Sequence, residues 1–257
     1  MSHSPLLLVF FTFLSCKFQG DKGQLNSNKH LDMEYQLVNE IPLPEGFKRI
    51  DSDERSFARW LSQIKHKENK QVHLYDGSLK KNQKAQFAVL DIPVGKKNLQ
   101  QCADAVMRLR AEYLFAEKRF DEIKFADNAE KIYQWKGKDN REEFETYLEE
   151  VFGWCGSASL EKELLEVVDI KNLKPGDVFI KGGFPGHAMI VVDVAINKMK
   201  EKIFMLAQSY MPAQDIHIVN NPMNNKLSPW FKINETEVIF TPEWKFFNNQ
   251  LRKWRLP

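Results

Sequence analysis

The chain has 257 residues, 43% apolar and 12% aromatic, enough for one sizeable core and short for two independent domains. Its 37 basic and 35 acidic residues leave a net charge of +2. The basic residues are scattered, with no aromatic-interleaved basic motif, so charge gives no case for nucleic acid as a partner.

Leu6 to Leu14 form an almost unbroken apolar run that ends in Ser15-Cys16. The run is too short to cross a bilayer as a helix and fits a signal-peptide core. Its tail, L-S-C, resembles a bacterial lipoprotein box. That resemblance implies a segment 1–16 cut before Cys16, lipidation of Cys16, and a lipid anchor on the periplasmic or surface face of the cell envelope. Two features depart from it: Met1 to Pro5 carry no Lys or Arg, and Phe13 stands where Leu is usual. A secretory signal cut elsewhere, or a buried N-terminal strand, is the competing reading. Residues 17–36 are polar and mixed and read as a flexible tether.

Residues 37–257 then read as a single α+β domain, helices first and an antiparallel sheet after, with a helical insertion at about 119–172. Asp53 precedes a helical face made of Phe57, Trp60, Leu61 and Ile64. Val72 and Leu74 suggest a strand closed by the Asp76-Gly77 turn, and Gln86 to Val94 a second strand. Asn98 is a good N-cap, and Gln101 completes a capping box for a helix reaching about Lys118. Leu99, Cys102, Val106, Leu109 and Tyr113 form its apolar stripe. Amphipathic helices follow at 141–152 and after Ser157, then strands at 177–181, 187–195 and 202–208. The C-terminus, with Trp230, Phe231, Trp244, Phe246, Phe247 and Trp254, reads as an aromatic wrap over the core.

Cys102, His187 and Gln208 are candidates for nucleophilic chemistry, with Cys155 as a rival. Under the Asn98 cap, Cys102 sits at the fourth helical position, where free N–H groups and the helix dipole lower a thiol pKa. Cys102 also lies on the apolar stripe, so a buried structural cysteine fits the same pattern. His187 leads a strand after Gly182, Gly183 and Gly186, a small-residue loop that lets another element approach closely. If 187–195 and 202–210 pair as a hairpin, Asp193 faces Lys202 and His187 faces Gln208, which would hold the imidazole tautomer that a general base needs. A one-residue slip would put Ser209 there instead. Cys155, in G-W-C-G-S-A-S, is the rival nucleophile, and a Cys102–Cys155 disulfide would silence both.

Other groups carry weaker signals. Asp76 is a candidate for holding a substrate ammonium, although an Asp-Gly turn explains it without function. His217 with His187 is a conceivable metal pair, but no Cys/His/Asp spacing supports a zinc site. Arg108 and Arg110 either clamp a carboxylate or lie solvated on a helix face. With no P-loop and no dinucleotide fingerprint, neither a cofactor nor a metal is expected.

The segment P-G-D-V-F-I…G-H-A-M-I-V-V-D is similar to the second half of NlpC-type papain-like cell-wall peptidases and amidases. The resemblance implies a cysteine at a helix N-terminus, a strand-leading histidine and a polar third residue, in the order Cys102, His187, Gln208. The cysteine context, Q-Q-C-A-D-A-V, differs from the Asp-Cys-Ser-Gly usual there. I-P-L-P-E-G-F, L-Y-D-G, L-Q-Q-C-A-D-A-V-M-R-L-R-A-E-Y and L-A-Q-S-Y-M-P-A-Q-D-I-H resemble an uncharacterised bacterial family, domain of unknown function 4846. Cys102, His187, Gln208 and Tyr210 fall in its motif blocks, and Tyr210 joins Asp76 as a substrate-binding candidate. Together these imply an envelope cysteine hydrolase that cuts an amide bond in a cell-wall or similar peptide. The alternative is a non-catalytic lipoprotein that binds a peptide or glycan on the same scaffold.

Overall fold

A computed structural model describes residues 1, 35–233 and 237–255. Signal segment 1–16 with Cys16, and the tether apart from Tyr35 and Gln36, lie outside the described residues. Tyr35 and Gln36 already belong to the body: Tyr35 stacks on Phe87, and the Gln36 carbonyl accepts from the His66 amide at 2.8 Å.

The N-terminal half supplies β1 (Phe47–Arg49), α1 (Phe57–Ser62), β2 (Gln86–Val89) and α2 (Cys102–Ala116). The expected insertion holds a small hairpin, β3 (Lys124–Ala126) and β4 (Ile132–Gln134), before α3 (Arg141–Trp154) and α4 (Ser157–Glu163). β5 (Leu165–Glu166), β6 (Val178–Lys181), β7 (His187–Asn197), β8 (Lys202–Gln208) and β9 (His217–Val219) follow. The C-terminal wrap is itself strand-forming: β10 (Phe231–Lys232), β11 (Val238–Phe240), β12 (Lys245–Phe247) and β13 (Leu251–Lys253).

The β7–β8 hairpin is the spine of a nine-stranded sheet. β6 and β1 pair with the two halves of the outer edge of β7, and β9 and β10 with those of β8. Every pairing is antiparallel, so the α+β expectation holds at that level. Both faces of the spine are covered, which is why β7 reads as a continuous apolar run. On one face Ala188, Ile190 and Val192 pack under α2; on the other Met189, Val191, Phe204 and Leu206 pack under Ile239 and Phe246.

The helices follow from local chemistry. α3 is capped by Asn140, whose Oδ1 accepts from the amides of Glu142 and Glu143, and two acids complement its N-terminal dipole. It buries Phe144, Tyr147, Leu148, Val151 and Phe152 at helical spacing. Each fully buried side chain of this kind contributes about 1.5–3 kcal/mol of transfer free energy.

Several expectations are corrected. In place of the strand expected at Val72 and Leu74 there are only isolated bridges, His73 to Leu79 and Leu74 to Gln214, and β2 stops at Val89. The α2 helix starts later than the Asn98 cap implies. Tight turns at Leu99 and Gln101 keep the backbone extended, and Asn98 Oδ1 accepts from Ala213 N instead. Gln101 is the cap residue, its amide donating to Asp104 Oδ2 at 2.9 Å, so Cys102 is the first helical residue, not the fourth. The helix is buried round most of its circumference rather than along one stripe. Arg108 and Arg110 are accordingly not solvated. Arg108 donates to Glu112 and Glu145, each at 2.7 Å, and Arg110 lies over the rings of Phe57, Tyr113 and Trp254.

Candidate functional site

The site lies where β7 begins and β8 ends. The loop 182–186 reaches it by packing tightly on the start of α4. A Cβ on Gly186 would fall 2.3 Å from the Gly183 carbonyl oxygen and 2.4 Å from Ser157 Oγ. No larger residue fits there without moving backbone, so the glycine fixes how the chain enters at His187.

His187 and Gln208 meet, though not through the expected register. Asn197 Oδ1 accepts from the amides of Met199 and Glu201 and lengthens the turn. Asp193 therefore faces Met205, not Lys202, and ion-pairs with Arg49 at 2.7 Å. A bulge at Val192 then sets Val191 opposite Leu206 and Ile190 opposite Ala207. Continued, that pairing puts Gln208 opposite Met189, two residues from the expected partner. A two-residue shift leaves the face unchanged, so Gln208 remains a diagonal neighbour of His187. Gln208 is also directly paired with His217 on β9.

The hydrogen bonds around Gln208 have one consistent polarity. The Glu243 carboxylate can only accept, so Gln208 Nε2 donates to Glu243 Oε2 at 2.8 Å. The amide oxygen is thereby turned to His187, whose Nε2–H donates to Gln208 Oε1 at 2.8 Å. His217 Nδ1–H donates to the Asp215 carbonyl at 2.9 Å, leaving its Nε2 to accept from Gln208 at 3.3 Å and from Lys80 at 3.4 Å. Lys80 completes the set with an ion pair to Glu243 Oε2 at 2.6 Å, both side chains largely buried. The tautomers are assigned from these partners. His187 Nδ1 keeps its lone pair and makes no hydrogen bond among the described residues.

Burial governs the protonation. His187 is pushed down to about 4 by burial, against the Gln208 bond and with help from the Lys80 charge, so it is neutral near pH 7. Burial, then Lys80, pushes His217 down to about 3. Its Nε2 faces an ammonium, which rules against the conceived His187–His217 metal pair. The aromatic wrap encloses the imidazole: ring centroids of Tyr210, Trp244 and Phe246 lie 5.0, 5.1 and 5.9 Å away.

Cys102 is a half-buried free thiol at the first residue of α2. Ser209 anchors this end of the helix, its Oγ 2.9 Å from the carbonyl oxygens of Gln100 and Gln214. The thiol touches the backbone amide of Ala188, so the peptide joining His187 to Ala188 lies between the two candidate groups. Cys102 meets β7 from the α2 side, whereas His187 alternates with Ala188 and leaves the strand on the other face. No hydrogen bond joins Sγ to the imidazole among the described residues. The expected lowering of the thiol pKa does not occur: burial, then Asp104, pushes it up to about 11, outweighing the amides of Ala103 and Ala188.

The remaining candidates separate clearly. Cys155 is buried at the end of α3, with its thiol pushed up to about 12 chiefly by burial, and both cysteines are free. Asp76 is exposed and its Oδ1 is taken by Ser78 N and Oγ, an ordinary turn contact. Lys80 and Glu243 are absent from the sequence reading, and Trp244 enters it only as part of the aromatic wrap. No local motif links Lys80 to Glu243, 163 residues away, although the pairing of β8 with β9 explains His217.

The family model described as Domain of unknown function (4846) matches residues 37–137 and 126–253. No curated protein and no solved structure matches the chain. With these matches running from the first short helix to the last strand, the chain belongs to the domain of unknown function 4846 family.

Proposed function

We propose that this protein is a papain-like cysteine hydrolase of the bacterial cell envelope, held there by a lipid on Cys16, that cleaves an amide bond in a cell-wall or related peptide. The observation that carries the reading is the His187–Gln208 bond at 2.8 Å, which leaves a neutral imidazole with Nδ1 unbonded, one peptide unit from a helix-leading thiol. For turnover the thiol, which meets β7 from the α2 side, has to swing past the first residue of the strand to reach the imidazole; Cys102 Sγ then attacks the amide carbonyl as its proton passes to His187 Nδ1. The imidazolium then protonates the leaving amine. Water, deprotonated by His187, releases the acid from the thioester and restores the thiol. Gln208 holds the ring through both steps, and the first N–H groups of α2 face the developing oxyanion. Tyr210, beside the imidazole, is a substrate contact in this reading, as is Asp76 on the neighbouring turn.

The test is turnover of purified cell-wall peptide fragments by the full chain, with newly released amines read by mass spectrometry. Cys102→Ala and His187→Ala abolish release while circular dichroism stays native. Full turnover by Cys102→Ala overturns the assignment. A second reading, a non-catalytic peptide- or glycan-binding lipoprotein, is favoured by the thiol held at about 11 and unbonded to the ring. Binding of the fragments without release by the wild-type chain selects it.

A further inference from the structure

At Trp244, which packs on the imidazole, the wrap opens into a cavity of about 480 Å³, within the range of small-ligand sites. Its walls include Lys181, Phe240, Glu243, Trp244, Lys245 and Phe247. Two faces build it. In the β11–β12 hairpin, Ile239 pairs with Phe246 and both are buried in the core. Alternation then turns Phe240, Lys245 and Phe247 outward, and Phe240 and Phe247 are 45% and 44% exposed. From the other side, Lys181 on β6 is the direct cross-strand partner of His187. Directly opposed Cβ atoms lie about 5 Å apart on one face, so a group held by Lys181 sits next to the imidazole.

The charges are unbalanced. Neither Lys181 nor Lys245 has an ion-pair partner among the described residues. The acid in the wall is already committed: Glu243 Oε2 takes Lys80 and Gln208, and its Oε1 accepts from Asn82 at 3.3 Å. Two uncommitted ammonium groups therefore face an aromatic-walled space whose one carboxylate is neutralised. We propose that this cavity is a subsite for a peptide carboxylate flanked by an apolar group, either a C-terminal carboxylate or an acidic side chain. The proposal rests on the hydrolase reading only for the meaning of the neighbouring centre, because the binding itself needs no chemistry.

The experiment measures equilibrium binding of two probes to the full chain by calorimetry at low salt: N-acetyl-phenylalanine, which carries a carboxylate, and N-acetyl-phenylalaninamide, which does not. The acid binds at least tenfold more tightly than the amide. Lys181→Gln with Lys245→Gln, both exposed positions, reduces that preference to below twofold, while Cys102→Ala leaves it unchanged. Equal affinity for acid and amide, or a preference that survives the double substitution, overturns the subsite. A hydrolase that fails the turnover test still shows the acid preference if the subsite is real, so the two failures are distinguishable.

Discussion

Replacing Glu243 by Ala tests the polarity of the network at its one acceptor-only member. The carboxylate serves two donors, Lys80 at 2.6 Å and Gln208 at 2.8 Å. Lys80 is 6% and Glu243 13% exposed, so this is a buried pair, and burial already holds the Lys80 pKa down. Without the carboxylate, Lys80 keeps only the His217 contact at 3.4 Å. Breaking such a pair by removing one partner costs about 3–5 kcal/mol, against about 0–1 for a surface pair. At about 2–4 °C per kcal/mol for a body of this size, Tm falls by roughly 6–20 °C. Lys80→Met with Glu243→Met recovers most of the loss, since no charge is left stranded. Gln208 also loses the contact that orients its amide, so its oxygen and nitrogen can exchange places. Long-range nitrogen-15 NMR of the histidine rings then shows His187 in both tautomers, where the wild type shows only Nε2–H. A loss below about 1 kcal/mol, or an unchanged tautomer, would refute the argument that Glu243 sets the hydrogen-bond direction.

Two further outcomes follow from burial. The Cys102 thiol, pushed up to about 11, reacts with iodoacetamide at pH 7.5 about 300-fold more slowly than an ordinary thiol of pKa about 8.5. Its rate climbs without a plateau to above pH 10, and a plateau below pH 8 contradicts the dominance of burial. Asp177 is raised to about 7 by burial. Its folded form keeps a proton that the unfolded chain releases above about 3.9, so its contribution to stability is lost as pH rises from about 4 to 7. Asp177→Asn therefore gains on wild type across that window, by up to about 4 kcal/mol at 1.36 kcal/mol per unit. Denaturant midpoints at pH 4 and pH 7.5 measure it, and a variant whose difference from wild type does not change with pH removes the argument.

The sequence carried the local parts of the site better than their assembly. The strands around His187 and Gln208 were legible because a sheet covered on both faces leaves an unbroken β-branched run. The register was not, because it depended on the Asn197 turn and the Val192 bulge, and neither leaves a composition signal. Parity survived the error, which is why the right pair emerged from the wrong alignment. The start of α2 was misread because Asn98 resembles a cap, yet its side chain is drawn to Ala213, which tertiary folding brings in from 115 residues away. Arg108 and Arg110 looked solvated because charge usually marks an exposed face. Here Glu112 and Glu145 neutralise the first, and aromatic rings cover the second.

The resting site is a neutral pair, and that constrains any chemistry it performs. With the thiol at about 11 and the imidazole at about 4, moving the proton between them costs about 10 kcal/mol at 1.36 kcal/mol per unit. At that cost the ion pair is not populated at rest. A stored thiolate is therefore not the nucleophile. On the proposed hydrolase reading, the proton would have to move as the sulfur attacks. The network contributes no carboxylate directly to the imidazole, only the neutral Gln208 amide oxygen. An amide oxygen steadies the ring without raising its basicity as a carboxylate would. Gln208→Glu therefore raises the His187 pKa, but it also sets a second carboxylate against Glu243, so any gain in basicity competes with like-charge repulsion at the same position.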